Sequence, residues 1–536
     1  MSDFVIATTL SGKVKGVKKV TGFGADYFSF QRIPYAKPPI NELRFSDPQP
    51  ISPWTEIVDG TIPTPCCVQI SKLTKNVIGD EDCLYLNVYT KDLNPERKTP
   101  VMIFIHGGGF MHGSCGPEIY GPDYILQNNV VLVTINYRVG VLGFASFTDP
   151  SLEIPGNAGL RDQLMAIKWI NKNIEHFGGD ADNITLFGQS AGADSVHFLM
   201  LSENAKGLFK RAILMSGTAV TSSGLKSKNN YTLRLAEVLG WSGHDGQKGA
   251  LEFLRLRTAK ELIKAQPKLI TEKERSELIL FPFGPVIEPY ATERSTIPID
   301  PIIMSKTAWS KDLDMIIGGT SDEGLVIYKR LKSLPEILQK PDLFQVILPM
   351  DLVDNTDDDK AKEIACKLKQ FYLGNSTMSI NRCDGFLKLM ADKLYLHRIY
   401  RTLTLRNECG SGKTYFYRFS VDSPTNNHYK LFMCGMNVKG CSHADDISYL
   451  FKNQSGKIPP RYSMEYRAIQ TLVGAFTRFA SDGNPNDSRN SALVWEPVNG
   501  IDKPYKCFNI VDEGVSFVDF PEDDRMKFWD SLYSEK

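Results

Sequence analysis

The sequence has no excess of charge of either sign: Lys+Arg and Asp+Glu are both 62 in 536 residues. A balanced chain gives no electrostatic reason to expect nucleic acid or an anionic membrane surface as partner. No hydrophobic run approaches the roughly 20 residues needed to span a bilayer, so no transmembrane segment is expected. The opening stretch, MSDFVIATTLSGKVKG, lacks the basic-then-apolar pattern of a leader. The closing one, DSLYSEK, carries no retention or prenylation signal. These absences lead to the expectation of a soluble cytoplasmic protein, or of a secreted one if a leader has been removed. There are only ten cysteines, none at the paired Cys/His spacing of a zinc site. No metal and no cofactor are expected, and most of the thiols read as buried and reduced. Repeats, low-complexity tracts and Pro/Ser-rich linkers are also missing. Residues 1–536 therefore read as one large domain.

What is present is a pattern of short apolar runs alternating with helical ones. VMIFI (101–105), VVLVTINY (130–137), NITLFG (183–188) and RAILMSG (211–217) read as buried strands. DQLMAIKWINKNIEHFG (162–178) and SVHFLMLS (195–202) read as helices between them. Such alternation predicts an α/β fold, with a mostly parallel central sheet covered by helices on both faces. MIIGGTSDEG (315–324) is a further strand running into a loop, KTYFYRFS (413–420) another strand, and EYRAIQTLVGAFTRFAS (465–481) a late helix. The polar, helical stretches at 222–310 and 325–410 read as insertions.

The chemistry concentrates at the strand ends. NITLFGQSAGADSV (183–196) places Ser190 between Gly188 and Gly192 at a strand–helix junction. Taken alone, the pentapeptide also fits a plain glycine-rich connection. The alternative is a nucleophile elbow, a sharp turn that exposes a strained serine at a helix N-terminus. HGGGF (106–110), directly after VMIFI, supplies what such a serine needs. Consecutive glycines let Gly108 and Gly109 turn their N–H groups into a cavity, and the amide of Ala191 completes a set of oxyanion donors. Of eight histidines, His106 sits within the glycine loop and reads as fixing it. His176 and His197 fall in helical runs, and His112, His244, His397 and His428 have no supporting motif. His443, in GCSHADDISYLF, comes last in the chain, where a base for an elbow serine is found. The acid that orients it should come from TSDEG, and spacing leaves Asp322 and Glu323 equally eligible.

These motifs, with FQRIPYAKPP (30–39), EDCLYLNVY (81–89), NYRVGVLGF (136–144), GNAGLRDQ (156–163) and FGGDADNITLFGQSAG (177–192), resemble the type-B carboxylesterase/cholinesterase family. GTSDEGL and GCSHADDISYLF are most similar to insect α-esterases. The resemblance runs from roughly Val5 to Trp529. It implies an α/β-hydrolase fold with helical insertions and a triad of Ser190, Glu323 and His443, which takes the glutamate over Asp322. It also implies oxyanion donors at Gly108, Gly109 and Ala191. The implied reaction is hydrolysis of small carboxylic esters through an acyl-enzyme, with reactivity toward organophosphates and a detoxifying role of broad specificity. A juvenile-hormone esterase is the alternative within the same chemistry; a catalytically inactive binding relative is the alternative outside it.

The chain departs from the family pattern in several places. In cholinesterases the early disulfide loop holds a tryptophan for the choline cation. Here CVQISKLTKNVIGDEDC (67–83) has no aromatic residue, which disfavours choline esters. Cys66 or Cys67 could pair with Cys83 in an oxidising compartment. No cysteine lies between Cys115 and Cys366 to form the family's second disulfide, which agrees with an intracellular enzyme. Gln189 stands before the nucleophile where many relatives carry glutamate. Ser223 falls where relatives often place a bulky aromatic, so a wider acyl pocket is expected there.

Overall fold

A computed structural model describes residues 4–220, 225, 230–353, 356–454, 456–489, 493–498 and 504–534. Fifteen strands follow in chain order. They are β1 (Phe4–Thr9), β2 (Gly12–Val20), β3 (Asp26–Pro34), β4 (Val58–Asp59), β5 (Gln69–Ile70), β6 (Val77–Ile78), β7 (Tyr85–Thr90) and β8 (Thr99–Ile105). β9 (Val131–Ile135), β10 (Gly179–Gln189), β11 (Arg211–Met215), β12 (Asp314–Thr320), β13 (Thr414–Phe419), β14 (Lys506–Val511) and β15 (Gly514–Asp519) complete them. All but the β5–β6 ribbon join one 13-stranded sheet in the order β1-β2-β3-β7-β9-β8-β10-β11-β12-β13-β14-β15, with β4 beside β2. From β9 to β14 every pairing is parallel. The pairings at the two margins, β1 to β9 and β14 to β15, are antiparallel, apart from β4, which runs parallel to β2.

The parallel centre is the part predicted from apolar runs, and its two-sided burial explains why it is legible. Side chains alternate across a strand, so Ile103 and Ile105 of β8 join one core and Met102 and Phe104 the opposite one. The helices Ala158–Asn173 and Ala191–Leu201 cover the first face through residues such as Ile167, Ile170 and Val196. The helix Met464–Asp482 covers the second through Ile469, Leu472 and Phe476. The antiparallel margin gave no such signal. In β2, GKVKGVKKV, only Val14 and Gly16 are buried, and the lysines and Val20 are partly or fully exposed. The segment from Leu325 to Met390 packs largely into a third core built around Leu331, Leu343, Leu352 and Phe386, as expected for a helical insertion.

Cys67 and Cys83 form a disulfide, which leaves Cys66 with a free thiol. Cys66 is instead held through its carbonyl, which accepts from Asp80 N at 3.0 Å. Cys115, Cys383, Cys441 and Cys507 are buried free thiols, fewer than the majority predicted, since Cys66, Cys409 and Cys434 are half-buried and Cys366 is exposed. Among the described residues, no helix is long and apolar enough to cross a membrane.

Candidate active site

The C-terminal ends of β8, β10, β11 and β12 lie side by side, and each delivers one piece of a site. This is the edge where parallel sheets bind ligands, because the loops diverge there. After β10 the chain turns at Ser190 with φ 57° and ψ −126° and enters the helix Ala191–Leu201. Backbone bonds hold this uncommon conformation: Ser190 N donates to Met215 O at 2.8 Å, and Ser190 O accepts from Asp194 N at 2.9 Å. The turn is too tight for a side chain beneath it. A Cβ on Gly192 would sit 2.0 Å from Ile105 O. Ser190 Oγ makes no hydrogen bond among the described residues, so the elbow does not depend on the atom it presents.

The glycine loop after β8 bends back over this turn. Gly108 and Gly109 carry φ of 123° and 63°, and a Cβ on Gly109 would lie 2.3 Å from the Phe281 ring. Among the described residues no acceptor takes the N–H of Gly108, Gly109 or Ala191, leaving those donors free. His106 anchors the loop as its position suggested. Its ring stacks on Tyr137 at 4.3 Å and its Nδ1 lies 2.9 Å from Gly107 O. Burial drives its imidazole down to about 4, so at neutral pH it is uncharged and Nδ1–H donates to that carbonyl.

His443 comes from the chain between β13 and β14 and is brought to the end of β12. A parallel bridge joins Asp322 to Ser442, with Asp322 N donating to Cys441 O at 3.0 Å and Cys441 N to Asp322 Oδ2 at 3.1 Å. Asp322 thus ties the two loops together, while Glu323 turns inward. Glu323 is fully buried; its Oε2 lies 2.6 Å from His443 Nδ1. Its Oε1 accepts from Ser216 Oγ at 2.5 Å and Thr320 N at 2.8 Å. The residue that spacing could not choose is therefore the one that meets the imidazole. Two partners had no local signal: Ser216, at the end of β11 with φ 55°, and Tyr395, stacked on His443 at 4.2 Å. Asp446 is buried behind the base, accepts from Tyr417 OH at 3.0 Å, and is raised to about 7 by burial and then by the Glu323 charge.

Gly109, Ser190 and Ala191 open into a cavity of about 340 Å³, with Tyr395 rather than His443 in its wall. Val220 and Leu225 also line it; Ser223 lies outside the described residues. Gln189 is buried beside the base, with its Nε2 3.2 Å from His443 Nε2. With Nδ1–H committed to Glu323, Nε2 is the acceptor and the Gln189 amide the donor. A carboxylate at this position would stabilise the imidazolium relative to the neutral base. Gln189→Glu is accordingly expected to shift the acid limb of kcat/KM upward, with the loss of activity greatest at low pH. A pH–rate profile from 5 to 9 with an unmoved limb would contradict the Gln189–His443 contact.

The chain matches the model of the carboxylesterase family over residues 2–529. It is 42% identical over 528 residues to esterase B1 of Culex pipiens, covering 98% of this chain and 97% of that one. It is 35% identical to the juvenile hormone esterase of Tribolium castaneum, covering 95% and 87%. The crystal structure of juvenile hormone esterase from Manduca sexta, with OTFP covalently attached, superposes with a TM-score of 0.87 at 28% identity. That superposition covers 99% of this chain and 100% of the other. The neighbour and the sheet establish the α/β-hydrolase fold. They also correct one expectation. The cytoplasmic location read from the N-terminal residues does not stand against relatives that include juvenile hormone esterases and a venom carboxylesterase of Apis mellifera. The Cys67–Cys83 bond points the same way, since disulfides persist in oxidising compartments and are rare in the cytosol. The absence of a leader pattern carried no information about compartment. The chain belongs to the carboxylesterase family and is a carboxylic-ester hydrolase.

Proposed function

We propose that the whole chain forms one catalytic domain that hydrolyses small carboxylic esters through an acyl-enzyme on Ser190. The observation that carries this reading is the buried chain Ser216–Glu323–His443, which ends at the amide of Gln189, next in sequence to an elbow serine open to a cavity. Ser190 Oγ attacks the ester carbonyl while His443 Nε2 takes its proton, exchanging the Gln189 hydrogen bond for one to Oγ. Glu323 keeps Nδ1 protonated and stabilises the imidazolium without taking its proton. The N–H groups of Gly108, Gly109 and Ala191 hold the oxyanion, each donor worth about 10²–10³ in rate. Collapse breaks the bond to the alcohol, which leaves with the proton from His443. Water then attacks the acyl-enzyme along the same path and restores Ser190.

The same geometry supports phosphorylation of Ser190 by organophosphates and, with the esterase relatives, a broad-specificity detoxifying role. The test is a pre-steady-state time course with a p-nitrophenyl ester. A burst of p-nitrophenol equal to the enzyme concentration is expected, provided deacylation is slower than acylation, together with one organophosphate equivalent on the Ser190 peptide. Label on a different residue would overturn the assignment. A second reading, juvenile-hormone esterase, is favoured by the likeness to the Tribolium castaneum and Manduca sexta enzymes. Relative kcat/KM on juvenile hormone and simple aliphatic esters separates the two.

A further inference from the structure

The cavity is not wholly apolar. Its lining combines apolar residues such as Leu278, Phe281 and Leu348 with the charged Asp351, Lys393 and Arg401. Most of these charges are already matched. Arg401 Nη1 lies 3.1 Å from Asp351 Oδ2, and Tyr533 OH donates to the same carboxylate at 3.1 Å. Arg398 pairs with Asp194 at 3.2 Å and donates to Thr218 O at 2.6 Å. His397 Nε2 lies 3.0 Å from Asp530 Oδ1. Glu277 reaches Lys273 at 3.9 Å on the outside. Lys393 is the exception: among the described residues its ammonium has neither a hydrogen bond nor an ion pair.

Lys393 is also held in an unusual way. It lies in a π-helical turn, Asp392–Leu396, between the helices Asp384–Ala391 and His397–Cys409. Such turns are rare and are frequently found at functional sites. The same turn carries Lys393, Leu394 and Tyr395 to the cavity wall, and Tyr395 is the ring that stacks on His443. The cation is thus fixed relative to the proposed base by one turn of backbone. Burial lowers its ammonium to about 8, against the pull of Asp351 and Glu277, so it remains mostly charged at neutral pH.

An ammonium facing a half-apolar cavity without a partner is a costly arrangement, and a ligand anion relieves it by a charge-assisted hydrogen bond. We infer that Lys393 forms a subsite for a carboxylate, and that the pocket prefers esters with a carboxylate at the end of an apolar chain remote from the scissile bond. This inference rests on the ester-hydrolase reading of Ser190 and names the substrate class of that site. The expected gain from one such bond is about tenfold to a hundredfold in kcat/KM.

Two matched series test it. One places the carboxylate on the acyl side, as p-nitrophenyl monoesters of C4–C8 dicarboxylic acids against p-nitrophenyl esters of equal-length fatty acids. The other places it on the alcohol side, as butyryl esters of ω-hydroxy acids against butyryl esters of equal-length alcohols. In at least one series the ratio of charged to neutral kcat/KM should exceed ten, fall toward one in Lys393→Met, and persist in Lys393→Arg. A ratio of one or less in both series, or an equal ratio in Lys393→Met, overturns the subsite. Calorimetry gives an answer without turnover: octanoate should bind more tightly than 1-octanol, and that advantage should vanish in Lys393→Met. Equal binding of the two also overturns it. If p-nitrophenyl butyrate is hydrolysed as fast by Ser190→Ala as by the parent protein, the assignment to Ser190 fails instead, and the calorimetric comparison still decides the subsite.

Discussion

Ser190→Ala is expected to lower kcat on p-nitrophenyl butyrate by roughly 10⁶-fold, the loss seen when a serine hydrolase loses its nucleophile, with no change in fold. The first half follows from the absence, among the described residues, of a second nucleophile with an oriented base at this edge of the sheet. The second follows from how the elbow is held. Its conformation depends on Ser190 N reaching Met215 O, on Asp194 N reaching Ser190 O, and on the close approach of Gly192 to Ile105 O. None of these uses the hydroxyl, and alanine at φ 57° is no more strained than serine. Activity and far-ultraviolet circular dichroism measured on the same sample check both halves. A folded variant retaining more than about 1% of parental kcat would exclude Ser190 as nucleophile. The remaining rate should still exceed that in water by roughly 10³-fold, because the oxyanion donors and the cavity are untouched.

Glu323→Gln should reduce kcat by about 10⁴ while leaving the backbone in place, and the direction follows from hydrogen-bond valence. Thr320 N donates to Oε1 at 2.8 Å and can only donate, so the oxygen of the new amide must face it. The amide nitrogen then faces His443 Nδ1, where the carboxylate oxygen now lies at 2.6 Å. Two donors cannot share that contact. The imidazole is driven to the tautomer with its proton on Nε2, which cannot accept one from Ser190. Asp322→Asn provides the contrast: Asp322 acts on the loop of Cys441 and Ser442 and not on the ring. Its Oδ2 accepts from Cys441 N and Ser321 Oγ, so its loss is expected to cost no more than about thirtyfold, at about 1 kcal/mol per hydrogen bond. Equal losses in the two variants would mean that Asp322 orients the base.

How much of this was legible in the sequence depends on the distance over which each interaction acts. The elbow and the glycine loop are local, because their glycines answer to contacts set by the adjoining strands, so 188–192 and 106–110 could be read as they stand. The parallel centre could be read because strands buried on both faces are continuously apolar. The margins could not, since in β2 valines alternate with lysines and the pairing that orders them comes from β1 and β3. Tyr395 and Ser216 gave no signal, because their meaning lies in contacts with His443 and Glu323 made across the molecule.

The sequence by itself determined the fold class, the position of the candidate nucleophile and the order of its partners, because motif order along a parallel sheet is also order in space. Tertiary structure decided everything that required choosing between neighbours. Asp322 and Glu323 differ by one position, and only the bridge to Ser442 turns one toward the loop and the other toward the imidazole. Cys66 and Cys67 differ by one position, and only the backbone bond of Cys66 to Asp80 leaves Cys67 to meet Cys83. The cavity wall draws on segments near 280, 350, 395 and 530, so its charged lining and the unpaired Lys393 exist only once those distant pieces are packed together.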